Sequence, residues 1–217
     1  MAEQELLAGL KDAVIRGDIE EATALAKQIV AEGVDPVAAH EEGLRKGISE
    51  VGDSFGCGEL FLPDLVIAAD AMKAASAILE QEICRSGSQL ETKGKVVLGT
   101  VAGDLHDIGK TIVATLFASH GFEVIDLSVD VPAAEFVRVV REEQPQILGM
   151  SSLLTVTAKG LANVIRALEE AGLRETVKVI VGGGAVTEVF AESIGADGYG
   201  DNAELGVRKA EQLLGLA

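Results

Sequence analysis

Apolar side chains in the first 90 or so residues recur every three to four positions, which is the period of amphipathic helices. The first of these helices ends at Gly17 and the second at Gly33, because glycine commonly terminates a helix. The third opens with Asp35-Pro36, a capping and first-turn pair, and the fourth starts near Pro63. Four helices joined by short connections predict a small antiparallel bundle.

Two glycines, Gly43 and Gly47, lie four positions apart inside the third predicted helix. Each costs about 1 kcal/mol of helix stability relative to alanine. The pattern therefore favours a packing reason, namely the close approach of a second helix. A bulky group that approaches the helix at this point is the alternative.

From residue 95 onward, short apolar runs alternate with helical segments. The predicted strands are Lys95–Thr100, Glu123–Leu127, Ile147–Ser151, Val177–Val181 and Gly198–Tyr199. The predicted helices are Ile108–Ser119, Pro132–Glu143, Ala158–Ala171, Thr187–Ile194 and a last one that ends near Leu214. Five such strand–helix units predict an α/β domain with a parallel sheet covered on both faces. Right-handed crossovers favour the strand order 2-1-3-4-5 of a flavodoxin-like, Rossmann-type sheet.

The segment between the two patterns, SGSQLETKG, has no periodicity and is rich in residues that form turns. We therefore predict a helical domain over residues 1–88, a linker over 89–94 and the α/β domain over 95–217.

Composition narrows the possible partners. The chain has 217 residues, with 18 Lys and Arg against 35 Asp and Glu, so its net charge is −17. This balance argues against nucleic acid and against an anionic membrane surface, since both are bound mainly through Lys and Arg. No apolar run is long enough to span a membrane, and the acidic N-terminus is unlike a secretory signal. Cys57 and Cys84 are too few for a disulfide framework, so we expect a cytoplasmic protein.

Ligands of such sheets bind beyond the carboxyl ends of the strands. Four segments are expected there, and they combine a histidine flanked by carboxylates, a row of hydroxyls, and glycines. They are Gly103 to Gly109 after the first strand, Ser151 to Thr157 after the third, Gly182-Gly183-Gly184 after the fourth, and Tyr199-Gly200-Asp201 at the fifth.

The sequence resembles two nucleotide-binding motifs in part but fits neither of them. Gly103 and Gly109-Lys110-Thr111 resemble a phosphate-binding loop, but five residues separate the glycines where that motif has four. Aspartates in the same loop would add negative charge where a phosphate needs donors. Gly182 and Gly184 begin a dinucleotide-type pattern, but Thr187 stands in place of its third glycine.

His106 carries most of the chemical information. A loop histidine on its own is commonly a structural hydrogen-bonding group, but a neutral imidazole also binds transition metals when a carboxylate orients its second nitrogen. Asp104 lies two residues away, and Thr157 or Ser151 could in turn bind that carboxylate. No second His, Cys or Glu lies nearby in sequence, so a single protein ligand suits a metal that arrives inside an organic cofactor.

The run GDLHDIGKTIV resembles the D-x-H-x-x-G signature of cobalamin-binding domains, with Asp104, His106 and Gly109 at the motif positions. The second element of that family, S-x-L, is matched by Ser151 and Leu153. Its later hydroxyl positions and its glycine pair are matched by Thr155, Thr157 and Gly182-Gly183.

The segment VGDSFGCGELFLPDLVIAADAMKAA is similar to the helical cap domain of cobalamin-dependent methionine synthase and of small corrinoid proteins. Together the resemblances cover roughly residues 30–215. They imply a cobalamin or related corrinoid bound base-off and His-on, with His106 as the metal ligand in place of the cofactor's own base. They also imply a slot for the displaced nucleotide tail and a hydrogen-bonded relay through Asp104 and Thr157.

The cofactor-binding residues predicted in the α/β domain are Asp104, Leu105, His106, Asp107, Ile108, Gly109, Ser151, Leu153, Thr155, Thr157, Gly182, Gly183, Gly184 and Tyr199. In the family, apolar residues of the cap cover the reactive upper face of the corrin, and Phe61, Leu62 and Leu65 match that segment. Core packing of the bundle is the alternative for these three. Cys57, close by, is expected to be a packed thiol.

A cap followed by a binding domain is the layout of stand-alone corrinoid proteins. The resemblance implies a carrier whose cobalt is methylated as Co(I) and demethylated as methyl-Co(III), as in methylcobalamin. The expected partners are a donor methyltransferase for methanol, methylamines, betaines or methoxylated aromatics, an acceptor methyltransferase for a thiol cofactor or tetrahydrofolate, and a reductive activase. The chain would then be a subunit of an enzyme system, with no membrane partner.

Two other functions are compatible with the same sequence. The first is a cobalamin-binding sensor or storage module without methyl transfer. The second is a flavodoxin-like domain that binds flavin or phosphate and contains no cobalt.

Overall fold

The structure is a computed structural model, and it describes residues 3–88, 90 and 92–216. The chain divides into two compact units, Met1–Glu91 and Thr92–Ala217. Gln89 and Glu91 of the predicted linker lie outside the described residues. Among the helices that are described, none has the combined length and apolarity that a membrane crossing requires.

Within residues 3–88, the regular elements of the first unit are helices. Its elements are α1 (Glu3–Ile15), α2 (Ile19–Glu32), α3 (Pro36–Ala38), a π-helical stretch (Ala39–Arg45), α4 (Lys46–Gly56) and α5 (Leu62–Ser86). The caps are those that the sequence indicates. Asp18 accepts a hydrogen bond from the Glu21 amide at 2.9 Å, and Asp35 accepts one from the Val37 amide at 3.0 Å. Gly33 ends α2 in the left-handed conformation, with φ 69°.

The third predicted helix is confirmed in its position, since α3, the π-helical stretch and α4 follow one another without a gap and with helical backbone at both junctions. A regular α-helix over residues 39–45 is wrong, because this stretch is π-helical. The reason for the two glycines of the predicted helix is nevertheless the expected one, the close approach of α1. A Cβ atom on Gly43 would lie 2.8 Å from Leu10 Cδ2, and one on Gly47 would lie 2.9 Å from the Lys11 carbonyl oxygen. The packed thiol predicted at Cys57 is also wrong, since this residue is exposed.

The second unit is the predicted α/β domain. Its strands are β1 (Lys95–Thr100), β2 (Glu123–Asp126), β3 (Ile147–Ser151), β4 (Lys178–Gly182) and β5 (Gly198–Gly200). Its helices are α6 (Ile108–Ser119), α7 (Ala133–Glu143), α8 (Thr155–Glu170), a 3₁₀ turn (Arg174–Thr176), α9 (Glu188–Ser193) and α10 (Ala203–Leu214). All neighbouring strands are parallel, in the order β2-β1-β3-β4-β5. The predicted topology is confirmed.

Both faces of the sheet are covered. On one face, the buried side chains of Val97, Leu148 and Val179 pack in a core with Phe136 of α7 and Leu161 of α8. Helices α6 and α10 pack against each other and against strands of the same sheet. The apolar character of the strands on both sides is the pattern of a buried parallel sheet.

The register of the strands places the carboxyl ends of neighbouring strands side by side. Thr100, the last residue of β1, pairs with Ser151 of β3, which pairs with Gly182 of β4, which pairs with Gly200 of β5. The carboxyl ends of four strands therefore lie at one level. Several boundaries differ by one residue from the sequence prediction. The start of α8 differs by more: it begins at Thr155 and not at Ala158, so Thr157 belongs to the first helical turn.

Replacing Gly47 by alanine tests the α1 contact. The new methyl group would meet backbone and the Val14 side chain, so we expect a loss of about 1–3 kcal/mol in the free energy of unfolding despite the better helix propensity of alanine. Urea unfolding measures it. Gly9→Ala is the control, since its Cβ would meet only Leu25 at 3.4 Å, an ordinary contact. Equal stability of the two variants would contradict the packing explanation.

Candidate functional site

The loop that follows β1, residues 101–107, carries His106 and is called the His loop below. It is fastened at its base by main-chain and side-chain contacts. The Asp104 amide donates to the Val101 carbonyl at 3.1 Å, and the Thr100 hydroxyl donates to the His106 carbonyl at 3.1 Å. The loop therefore has a fixed path where it leaves the sheet.

Asp104 is fully buried, and both of its carboxylate oxygens accept hydrogen bonds. Oδ1 accepts from His106 Nδ1 at 2.6 Å and from the His106 amide at 3.1 Å. Oδ2 accepts from the Leu153 amide at 2.8 Å and from the Thr157 hydroxyl at 2.9 Å. One carboxylate thus joins the His loop to the start of α8.

These contacts show which ring nitrogen of His106 donates. An ionised carboxylate only accepts hydrogen bonds, so Nδ1 of His106 carries a proton and donates a hydrogen bond to Asp104. In the neutral ring the lone pair therefore lies on Nε2, and the side chain is 51% exposed. An imidazole that is oriented through Nδ1 and open at Nε2 is the usual form of a metal-ligating histidine.

Two opposing effects act on the pKa of Asp104. Burial of the carboxyl group raises the pKa, whereas hydrogen bonds from His106, Leu153 and Thr157 lower it. The hydrogen bonds outweigh burial, and the pKa lies well below its ordinary value. Asp104 is therefore a stable anion beside the ring.

The relay includes a residue that the sequence analysis missed. The Ser152 hydroxyl lies 2.8 Å from Thr157 Oγ1, and Thr157 lies 2.9 Å from Asp104 Oδ2. Of the two expected partners of the Asp104 carboxylate, Thr157 makes the contact, and the second hydroxyl comes from Ser152 in place of Ser151. Successive residues of a strand point to opposite faces, which separates the roles of the two serines.

A cavity of about 220 Å³ opens on the side of the sheet that α6 and α10 cover. Of the predicted site residues, Gly109, Ser151, Gly182 and Gly183 line it. The other lining residues are Leu98, Gly99, Lys110, Ile112, Val113, Phe117, Gly149, Met150, Ile180, Val181, Gly200, Asp201, Asn202, Ala203 and Gly206. Gly109 lies two residues after the end of the His loop, so His106 is close in sequence to the lining of the cavity.

Several of the residues that line this cavity are glycines, and two of them lie close to neighbouring backbone. A Cβ atom on Gly182 would lie 2.8 Å from the Gly200 carbonyl oxygen. Gly183 has φ 111°, and a Cβ there would overlap the Ser152 carbonyl. Gly206 is buried on α10, yet a Cβ there would meet nothing within 4 Å. Gly206 is therefore a buried position on α10 that faces the open space of the cavity.

Exposed apolar side chains surround the histidine on the two segments that Asp104 joins. They are Leu105, Ile108, Leu153, Leu154 and Val156. Apolar side chains clustered at a ligand-bearing edge are typical of a binding surface. Leu105, Ile108 and Leu153 were expected here from the sequence.

The remaining predicted residues of this unit have other surroundings. Thr155 is exposed in the first turn of α8, and Gly184 is exposed beyond β4. The Tyr199 hydroxyl donates to Asp201 Oδ1 at 3.0 Å, and its ring packs against the core on the α7–α8 face. Asp107 pairs with Lys110 Nζ at 2.8 Å. Their contact with a cofactor stays a prediction.

The three predicted residues of the helical unit also differ from one another. Phe61 is 71% exposed, Leu62 is half-buried, and Leu65 is buried in the core of the bundle. Only Phe61 therefore presents most of its apolar surface. Contact of these residues with a cofactor stays a prediction.

Comparison with protein families decides the cofactor. A B12 binding domain model matches residues 94–208, and a second B12 binding domain model matches residues 6–80. The chain belongs to the B12-binding corrinoid proteins. Its cofactor is therefore cobalamin or a related corrinoid. Among the residues that the structure describes, no group of three or more His, Cys, Asp or Glu side chains could hold a metal ion.

Relatives of this corrinoid protein share its whole length. A corrinoid protein of Desulfitobacterium hafniense (strain Y51) is 46% identical over 211 residues, which are 97% of this chain and 98% of the relative. A trimethylamine corrinoid protein of Methanosarcina barkeri is 41% identical over 213 residues, 98% of each chain. One chain of the solved methanol:cobalamin methyltransferase complex of Methanosarcina barkeri is also similar, with TM-score 0.89 and 31% identity. The match covers 98% of this chain and 81% of that chain.

Asp104→Asn tests the anion at the centre of the site. An amide cannot accept from all four donors, and a lost hydrogen bond to a charged group costs roughly 1.5–3 kcal/mol. Because the pKa of Asp104 is lowered in the folded chain, its contribution to stability is complete above the pKa of an unfolded aspartate, about 3.9, and is lost as pH falls through the folded pKa. The stability difference between wild type and variant should therefore shrink below about pH 4.

Urea unfolding of both proteins between pH 7 and pH 3 measures this difference. Asp201→Asn, which removes an exposed carboxylate from the same edge of the sheet, is the control and should show a smaller effect. A constant difference between wild type and Asp104→Asn over the whole range would disprove the assignment of the anion.

Proposed function

We propose that this corrinoid protein carries a methyl group between two methyltransferases. One partner would transfer the group from a small donor such as methanol or a methylated amine, and the other would pass it to a thiol cofactor or tetrahydrofolate. Full-length similarity to a protein named for trimethylamine and to a methanol methyltransferase complex supports the donor side. The acceptor methyltransferase, a reductive activase and a cytoplasmic location are further parts of the proposal.

One observation carries the proposed mode of binding: an exposed imidazole, fixed through Nδ1 by a buried anion, on a loop that leads into the glycine-rich lining of a cavity. His106 would ligate cobalt through Nε2, in the His-on form. The cavity would hold the nucleotide tail that His106 displaces, which is the base-off form. When bound, the corrinoid supplies a cobalt centre that accepts a methyl group and releases it.

The chain's own residues would position and tune this centre. Asp104 would keep the ring in one tautomer and one orientation, with the lone pair of Nε2 available to the metal. The contact between His106 Nδ1 and Asp104 Oδ1 would begin a hydrogen-bonded path that leads away from the ligand. Thr157 and Ser152 extend this hydrogen-bonded path towards the start of α8.

The apolar side chains around His106 would contact the underside of the macrocycle. Leu105 and Ile108 flank the ligand on one segment, and Leu153 and Val156 lie on the other. Their burial under a flat apolar ring would stabilise the complex and exclude water from the metal–imidazole bond.

His106→Ala tests the ligand. The wild-type chain, labelled with ¹⁵N and loaded with unlabelled cobalamin, should give a doublet nitrogen splitting in the electron paramagnetic resonance spectrum of Co(II). A triplet would instead report the cofactor's own ¹⁴N base. The variant should lose the doublet and bind hydroxocobalamin about 10- to 100-fold more weakly. His120→Ala, which removes the histidine at the other end of α6, should retain both.

Gly206→Leu tests the tail slot. A Cβ atom at this position would meet nothing within 4 Å, and leucine has a better helix propensity than glycine, so the fold should be retained. Affinity for hydroxocobalamin should fall about tenfold or more, equivalent to at least 1.4 kcal/mol. Cobinamide, which lacks the nucleotide tail, should bind the variant and the wild type equally. An equal loss for both ligands would contradict the slot, and spectral titration measures each.

Methyl transfer itself needs partner enzymes. The reduced, corrinoid-loaded chain is incubated with a methanol or methylamine methyltransferase and its substrate, and the methylated form is followed in the visible spectrum. Methylation with one donor enzyme supports the carrier. A chain that binds corrinoid His-on but is methylated by none of these enzymes would be a sensor or storage module.

A further inference from the structure

Lys110 lines the cavity, but the function proposed above gives its ammonium group no role, and the setting of that group is unusual. Lys110 lies in the first turn of α6, where a positive charge opposes the helix dipole. Its side chain is only 3% exposed, although burying a charge is costly unless the charge is paired. Because both the helix dipole and burial disfavour the charge of Lys110, we expect a contact that compensates for them.

That contact is with two carboxylates from different segments. Nζ of Lys110 lies 2.8 Å from Asp107 Oδ1 and also contacts both carboxylate oxygens of Asp126. Asp107 directly follows His106, and Asp126 is the last residue of β2, paired in register with Leu98. Lys110 therefore ties the end of the His loop to the outermost strand of the sheet.

The β2 end of this tie is itself fixed. Asp126 Oδ1 accepts from the Ser128 amide at 2.8 Å, and the Ser128 carbonyl accepts from the Thr100 amide at 3.1 Å. Further along, Asp130 Oδ1 accepts from the Gly103 amide at 2.7 Å, and the Asp130 amide donates to the Asp104 carbonyl at 3.0 Å. The residues after β2 thus hold the start of the His loop, and Lys110 holds its end.

We infer that Lys110 is a positioning residue for His106, acting through its ion pairs with Asp107 and Asp126. The inference rests on the proposed ligation of cobalt by His106. Without the ammonium group, the carboxylates of Asp107 and Asp126 would lie near each other with no cation between them. Like charges at such close range repel each other. Asp107 has an exposed side on which to move, and its movement would displace the neighbouring histidine.

Lys110→Met removes the charge and keeps the length of the side chain. We expect affinity for hydroxocobalamin to fall about 10- to 100-fold, the range typical for residues that orient a metal ligand. We also expect the ¹⁵N doublet of the histidine ligand to be replaced in part by the ¹⁴N triplet of the cofactor base. The double variant Lys110→Met/Asp126→Asn removes the repulsion and should recover part of both losses.

Lys95→Met is the matched control. Lys95 also lies between two carboxylates, Glu143 at 2.8 Å and Glu123 at 3.4 Å, but it does so at the opposite end of β1. It should leave ligation unchanged, whatever its effect on thermal unfolding.

The outcomes separate the inference from the function on which it rests. A wild-type chain without the doublet would overturn the proposed ligation. A wild-type doublet that persists in Lys110→Met at full strength, with unchanged affinity, would overturn only the positioning role. Equal losses in the single and double variants would also overturn it, because the ammonium group would then act on the bound molecule itself.

A second variant covers the case in which Lys110→Met does not fold. Asp126→Asn releases Lys110 from β2 and leaves it paired with Asp107. The inference expects a smaller doublet fraction in this variant too, and an unchanged spectrum and affinity would contradict it.

Discussion

The hydrogen bond between the Asp104 carboxylate and the His106 ring is the contact on which the site depends. A carboxylate with no exposed surface must find all of its donors inside the protein. Here they come from the histidine itself and from the start of α8, while the Asp104 carbonyl accepts from Asp130 after β2. Three connecting segments therefore meet at one residue, two through its carboxylate and one through its carbonyl, which restrains parts of the chain that are commonly mobile.

Much of this architecture could be predicted from the sequence, because its causes are local. The strands are short apolar runs, and β1 and β3 begin and end at the predicted residues. The D-x-H-x-x-G spacing places Asp104 beside His106 through a short stretch of loop. The tertiary partner Thr157 could be named because parallel strands end at the same edge.

The rest could not be predicted because it depends on contacts through space. Ser152 differs from Ser151 only in the direction of its side chain, which strand periodicity gives once the end of β3 is known. Gly206 is an ordinary helical glycine until its neighbours are seen to leave open space before it. The π-helical stretch contains Gly43, which α1 approaches closely, and no local pattern of residues indicated this helix type.

Lys110 explains why the segment that resembles a phosphate-binding motif is not suited to bind phosphate. In that motif the lysine is free to pair with an anionic ligand, whereas here its ammonium group is already occupied by two carboxylates. The wall of the cavity therefore presents no unmatched positive charge from this residue. Such a wall suits a neutral heteroaromatic group better than a phosphate.

The two adjacent serines at the end of β3 have a consequence for evolution. Ser151 faces the cavity, while Ser152 contacts the residues that hold the histidine. Because side chains alternate with a period of two, inserting or deleting one residue in this strand would exchange these faces and disturb both at once. Changes in chain length should therefore accumulate at the opposite edge of the sheet, where the helices return to the strands, and should spare this short stretch.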